Sequence, residues 1–98
     1  MKESQIESYM VRKVKEHGGL CFKFVSPGNP GVPDRIVITP AGKTIYVELK
    51  TKTGRLTRLQ RQQLQALALR SVDVQVLFGM DAVKEFLREV FGDAVHTA

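Results

Sequence analysis

Two carboxylates and a lysine stand at spacings that allow metal-dependent hydrolysis. Asp34 follows Pro33, and Glu48-Leu49-Lys50 comes after a gap of thirteen residues. Carboxylate oxygens suit a hard divalent cation such as Mg²⁺. A lysine beside such a cation can manage an attacking water or hold a phosphate. These residue types are therefore typical of a site that cleaves phosphodiesters.

A β-hairpin would bring the two carboxylates together. We predict strands over 34–39 and 44–50, joined by a turn at 40–43 that contains proline and glycine. In an antiparallel pair the start of the first strand lies beside the end of the second. Asp34 and Glu48 should therefore be neighbours.

The same hairpin places the lysine with the carboxylates. Side chains alternate across a strand, so Tyr46, Glu48 and Lys50 share one face, and the apolar residues between them should pack against a helix. Two adjacent carboxylates repel each other unless a cation bridges them, which favours a metal site. The alternative is a set of exposed ion pairs, which contribute only about 0–1 kcal/mol.

Five further elements complete the predicted fold. Ser4 with Glu7, and Thr57 with Gln60, have the spacing of helix capping boxes, and Asp81 suits the cap of a last helix. The resulting order α-β-β-β-α-β-α predicts an α/β fold in which helices flank a mixed sheet. We expect one domain over 1–92, followed by a loose tail over 93–98. The predicted segments are a helix over 4–17, a strand over 20–25, a helix over 57–70, a strand over 72–78 and a helix from 81 to about 90.

The charge of the chain is concentrated in one segment. Net charge is +5, yet no Asp or Glu occurs between Leu49 and Val72. A local positive field of this kind is typical of a protein that binds a polyanion, although a solvated helix face without a partner is the alternative. The basic residues between Leu49 and Val72 are Lys50, Lys52, Arg55, Arg58, Arg61 and Arg70.

No apolar run approaches the roughly 20 residues of a membrane span. The N-terminus also lacks the apolar core of a signal peptide, so neither membrane insertion nor export is expected.

The motif resembles that of a nuclease superfamily. Pro33-Asp34 and Glu48-Leu49-Lys50 are similar to the P-D…(D/E)-x-K motif of restriction-endonuclease-like nucleases, and within them to the VRR-NUC family. Glu7 on the first helix, the Gly31-Val32-Pro33 approach and Gln60 add to the resemblance. It implies a restriction-endonuclease-like core.

The resemblance also implies a role for each site residue. Asp34, Glu48 and the backbone carbonyl of Leu49 would bind Mg²⁺ or Mn²⁺, and Lys50 would position or deprotonate the water. Gln60 would orient the water or the phosphate, and Glu7 could hold a second cation, although both residues have the competing capping role. Arg35 would contact a phosphate or pair with an acid. Lys52, Arg55, Arg58 and Arg61 would follow the DNA backbone without reading sequence.

The function implied is that of a metal-dependent, structure-selective DNA endonuclease. Stand-alone members that the chain resembles are homodimeric Holliday-junction resolvases, which implies a four-way junction substrate and a cytoplasmic location in a bacterium or phage-infected cell. The alternatives are a nicking or flap-type nuclease within a larger repair or replication complex, and a non-catalytic DNA-binding module. The apolar last helix could join a dimer face or simply pack in the core.

Overall fold

The fold has three helices and four strands in the predicted order. The computed structural model describes residues 1–92, so the predicted tail lies outside the described residues. In the part described, no helix is long and apolar enough to cross a membrane. The elements are α1 (Glu3–Glu16), β1 (Leu20–Lys23), β2 (Arg35–Ile38), β3 (Thr44–Lys50), α2 (Arg58–Leu69), β4 (Val74–Phe78) and α3 (Gly79–Phe91).

The four strands form one mixed sheet in the order β1-β2-β3-β4. β1 pairs with β2 and β2 with β3 in antiparallel fashion, whereas β3 and β4 run parallel. The hairpin between β2 and β3 closes as predicted, because the Thr39 N–H donates to the Lys43 carbonyl over 2.9 Å. The α/β fold class and the hairpin are thus confirmed.

One face of the sheet carries the hydrophobic core. Ile45, Val47 and Leu49 alternate along β3 and are buried against α1 and α3, as the strand pattern predicts. Val83, Phe86 and Leu87 place the apolar side of α3 in the same core. Core packing therefore accounts for the apolar last helix. Ile6, Met10 and Val14 supply the buried stripe of α1.

Two of the predicted helix starts are wrong. α1 begins at Glu3 instead of Ser4, and the Lys2 N–H donates to Gln5 Oε1 over 2.9 Å. Ser4 and Glu7 therefore form no capping box, because the capping residue is Lys2, two residues before Ser4.

Asp81 likewise lies inside the first turn of α3, which begins at Gly79 directly after β4. Gly79 has φ +85°, a left-handed conformation that lets the chain turn from strand into helix without a separate cap. The Asp81 charge still favours the helix N-terminus.

Candidate active site

The strand register places Asp34 directly across from Glu48. Arg35 pairs with Val47, so the next cross-strand position joins Asp34 and Glu48 at the end of the hairpin. The Phe24 N–H donates to the Asp34 carbonyl over 2.7 Å, which fixes Asp34 on its other side although β2 begins at Arg35. Directly opposed residues have Cβ atoms about 4.5–5.5 Å apart. The hairpin thus brings the two carboxylates together as predicted.

Glu48 is a buried carboxylate with an unsatisfied oxygen. Its side chain is 2% exposed, and Oε1 has no hydrogen-bond partner among the described residues. Burial, and then the charge of Asp34, raise the pKa of Glu48 to about 7, while the charge of Lys50 acts in the opposite direction. A buried charge without a partner is costly unless a cation neutralises it. The environment of Glu48 is therefore suited to a cation ligand.

Lys50 lies on the same face, at the last residue of β3. It is half-buried, and within the part of the chain described its side chain forms no hydrogen bond or ion pair. Its charge nevertheless reaches Glu48. The ammonium group is thus available to a water or phosphate beside the two carboxylates.

Gln60 caps α2 and also contacts Glu48. The Thr57 N–H donates to Gln60 Oε1 over 2.9 Å and the Gln60 N–H donates to Thr57 Oγ1 over 3.1 Å, which confirms the capping box. The other end of the same side chain, Nε2, donates to Glu48 Oε2 over 3.4 Å. The cap therefore fixes an amide that faces the buried carboxylate.

Gly31 determines how closely α2 approaches the site. It has φ +93°, and a Cβ built at this position would lie 2.6 Å from the backbone C and O of Leu59 and 2.9 Å from the Gln60 N. The loop between β1 and β2 therefore packs directly on the first turn of α2. No side chain fits between them, so the glycine sets the position of Gln60 over Glu48.

Replacing Gly31 by alanine is expected to displace the first turn of α2. The added methyl group must push against backbone atoms, so the substitution should cost about 1–3 kcal/mol beyond the backbone strain and break the contact between Gln60 and Glu48. Gly28→Ala is the matched control, because Gly28 has φ +81° but an added Cβ there meets nothing within 4 Å. Thermal unfolding and the chemical shift of the Gln60 side-chain amide measure both effects. Equal losses in the two variants would contradict the positioning role.

The structure gives Glu7 two cationic neighbours. Arg35 Nε donates to Glu7 Oε2 over 2.9 Å, and Lys23 Nζ lies 3.6 Å from the same oxygen. Burial alone would raise the pKa of Glu7. The hydrogen bond from Arg35 and the positive charges of Arg35 and Lys23 outweigh burial, so the pKa of Glu7 is lowered. Of the two roles expected for Arg35, the structure therefore places it with an acid. Glu7 is ionised and held by Arg35 and Lys23, which lie on the face of the sheet opposite Glu48.

Glu3 is an acidic residue that sequence analysis did not single out. It is exposed at the first position of α1, and its charge contributes to the raised pKa of Glu48. Glu3 and Glu7 stand four residues apart and so lie on one side of the helix. The four-residue spacing of Glu3 and Glu7 is the sequence signal that both acids share this side of the helix. Interpreting Glu7 as part of a helix cap hides that signal.

The predicted basic residues lie in the segment that leads from β3 into α2. Their side chains are exposed on the loop that follows β3 and on the first turns of α2, close to Gln60. Their charges fall in the segment that directly follows Lys50 in the chain. The residues concerned are Lys52, Arg55, Arg58 and Arg61.

The donor set fits a divalent cation that also uses backbone or water oxygens. In residues 1–92 there is no group of three or more His, Cys, Asp and Glu side chains close enough to hold a metal. Asp34 and the unpartnered Oε1 of Glu48 supply two carboxylates, and Mg²⁺ characteristically binds one or two carboxylates and keeps several waters. The expected contribution of the Leu49 carbonyl would complete the protein ligands.

The sequence is similar to a known family of nuclease domains. The family model described as "VRR-NUC domain" matches residues 1–81. The chain is 41% identical over 81 residues to "Putative nuclease p44" of Acyrthosiphon pisum secondary endosymbiont phage 1, with 83% of this chain and 87% of that protein covered.

Solved structures show the same fold. A structure described as a VRR-NUC domain is similar with a TM-score of 0.82 and 25% identity, covering 88% of this chain and 94% of that one. A second, described as a VRR-NUC domain protein, has a TM-score of 0.72 and 17% identity, covering 95% of this chain and 92% of that one. The mixed sheet and its helices are thus shared with these structures.

Proposed function

Because the chain belongs to the VRR-NUC family of nuclease domains, we propose that it is a Mg²⁺- or Mn²⁺-dependent DNA endonuclease that cuts branched DNA. One observation supports the proposed metal dependence. Glu48 is buried beside Asp34, one of its oxygens has no partner among the described residues, and its pKa is raised to about 7. An apolar or neutral side chain would serve the fold better at that position. The cost of holding a carboxylate there is offset when a cation binds.

The residues at the site have separable tasks. Asp34, Glu48 and the Leu49 carbonyl would hold the cation, which when bound supplies Lewis-acid stabilisation and an acidified water. Lys50, whose side chain has no hydrogen-bond or ion-pair partner within residues 1–92, would hold the attacking water or the phosphate and offset negative charge as it develops. Gln60, fixed by its cap, would orient the same water or phosphate.

The first helix offers two acids for a second cation. Glu7 could serve, as the family resemblance implies, only if it left Arg35 and Lys23, which now neutralise it. Glu3 requires no such exchange, and its charge already acts on Glu48. A second cation would therefore compete with Arg35 for Glu7 or use Glu3.

The substrate proposal depends on the charge distribution. Four exposed basic residues follow Lys50 in the chain and suit contacts to phosphates, which give affinity without sequence information: Lys52, Arg55, Arg58 and Arg61. We therefore propose recognition of DNA shape, with the four-way junction preferred. We further propose that two copies act together, since symmetric resolution needs two cuts, and that the reaction takes place in the cytoplasm, where DNA lies in a bacterium or phage-infected cell.

A cleavage panel tests this proposal. The wild type should cut a four-way junction faster than a flap, a nicked duplex or a plain duplex in Mg²⁺ or Mn²⁺, and should cut none of them in EDTA. A flap preference would favour the nicking or flap-type nuclease. Junction binding without cleavage in either metal would identify a DNA-binding module, and cleavage unaffected by EDTA would contradict the metal site.

A further inference from the structure

An exposed aromatic ring lies one strand away from the lysine of the site. β3 and β4 run parallel, with Lys50 opposite Phe78 and Leu49 opposite Leu77. Leu77 belongs to the core, so the alternation of side chains places Phe78 on the side of the sheet that carries Glu48 and Lys50. Neighbouring strands are only about 4.8 Å apart. Phe78 is nevertheless 39% exposed, and within residues 1–92 its ring contacts no other aromatic ring or cation.

Phe78 lines a cleft at the end of the sheet. The cleft has a volume of about 390 Å³, within the range of about 300–1,000 Å³ that is usual for sites that bind small molecules. Its floor is apolar and belongs to the core, since Ile6 is buried and Met80 packs against the buried cluster. Aromatic rings and methionine are surfaces on which a flat ring packs well. The cleft therefore suits a planar group.

Two glycines hold the loop after β3 against this cleft. A Cβ built at Gly79 would lie 3.2 Å from Lys52 Cβ, and one built at Gly54 would lie 3.1 Å from Thr51 Oγ1. The Gly54 N–H also donates to the Thr51 carbonyl over 3.0 Å, which closes a turn directly after Lys50. One wall of the cleft is thus fixed by close packing and begins one residue from the site.

The polar side chains that line the cleft have no protein partners. Thr51, Lys52, Thr53 and Asp81 form no side-chain hydrogen bond or ion pair within residues 1–92. The Asp81 carboxylate repels a phosphate, but it accepts a hydrogen bond from the amino group of a base. Lys52 has the opposite charge and suits the phosphate of the same nucleotide. The cleft therefore matches a nucleotide whose base points inward.

We propose that this cleft takes one unpaired base of the DNA strand that is cut, next to the cleaved phosphate, and stacks it on Phe78. The inference rests on the proposed function, because it assumes that this phosphate lies at Lys50. Taking a base out of a duplex stack is costly, and the cost is smallest where the base is already unpaired. At a branch point, bases lose a pairing or stacking neighbour. The cleft thus gives a physical reason to prefer branched DNA without reading its sequence.

Binding to forked DNA tests the inference without cleavage. The probe is a fluorescent duplex with two unpaired arms, titrated in EDTA, and it is prepared with one abasic nucleotide at each position around the fork in turn. One abasic position should weaken binding to the wild type by about five- to one-hundredfold, the range expected when one stacked base is lost. The same abasic position should cost Phe78→Leu much less, since leucine keeps the apolar volume but has no aromatic face.

Two further variants separate a lost contact from a folding defect. Phe78→Tyr keeps the aromatic face and should respond to the abasic probe as the wild type does. Leu69→Ala truncates another exposed apolar residue, at the far end of α2, and should bind every probe with wild-type affinity. Thermal unfolding should show that Phe78→Leu is folded at the temperature of the titrations.

The absence of a sensitive abasic position, or an equal loss in Phe78→Leu and the wild type, would overturn the inference. So would a Phe78→Leu chain that binds the fork and a fully paired duplex with equally reduced affinity, because the ring would then contact the backbone. Cleavage in Mg²⁺ or Mn²⁺ is measured separately. A wild type that cuts the junction but shows no dependence on the base leaves the proposed function in place. One that shows the dependence but never cuts keeps the base site and contradicts the nuclease.

Discussion

Asp34→Asn is expected to lower metal-dependent cleavage by about a thousandfold or more. Asparagine keeps the shape of the side chain but removes the charge that faces Glu48 across the hairpin. A cation bound at the proposed site would lose one of its two carboxylates, and the reacting phosphate would lose the stabilisation that this cation would supply. Asp34 is exposed, so the fold should not suffer from the substitution.

Binding of Mn²⁺ tests whether the substitution acts by weakening the proposed metal site. Calorimetric titration should show weaker Mn²⁺ binding to Asp34→Asn, and the pKa of Glu48 should fall because one cause of its rise has been removed. Asp73→Asn is the control, since Asp73 pairs with Lys43 at the opposite end of the hairpin. Cleavage near the wild-type rate in Asp34→Asn, or an equal loss in the Asp73 variant, would remove Asp34 from the site.

The hairpin that positions the site could be predicted because its determinants are local. A turn with proline and glycine sets the register, and alternation along β3 assigns Glu48 to one face and Val47 to the other. These signals lie within the seventeen residues from Asp34 to Lys50. The structure changed only the ends of β2, which begins one residue after Asp34 and ends at Ile38.

The environment of Glu48 could not be predicted, because it depends on contacts between distant segments. Gly31 lets the loop before β2 rest on the backbone of Leu59, and this contact holds Gln60 over the carboxylate. The pairing of Glu7 with Arg35 is also long-range, and a local capping pattern concealed it. Likewise, the alternation of β1 predicted a strand but not which face the rest of the chain would leave uncovered.

Raising the pH from about 4.5 to above 7 should destabilise the metal-free protein through Glu48. The folded state raises the pKa of this carboxyl from 4.5 to about 7, so between these values the folded protein binds a proton that the unfolded chain releases. Stability contributed by the protonated form is therefore full below about pH 4.5 and is lost as the pH passes 7. A shift of this size corresponds to about 3 kcal/mol.

A divalent cation should reverse that loss. Because Glu48 would have to ionise in order to bind a cation, Mg²⁺ or Mn²⁺ should raise the unfolding temperature strongly at pH 8 and little at pH 5. Glu48→Gln should be the more stable protein without metal at pH 8 and should not respond to the cation, whereas Glu89→Gln, an exposed change on α3, should behave as wild type. Differential scanning calorimetry at the two pH values measures all three proteins. If Glu48→Gln and the wild type had the same unfolding temperature at pH 8 without metal, the buried carboxylate would not destabilise the fold. The physical argument for a cation at this position would then fail.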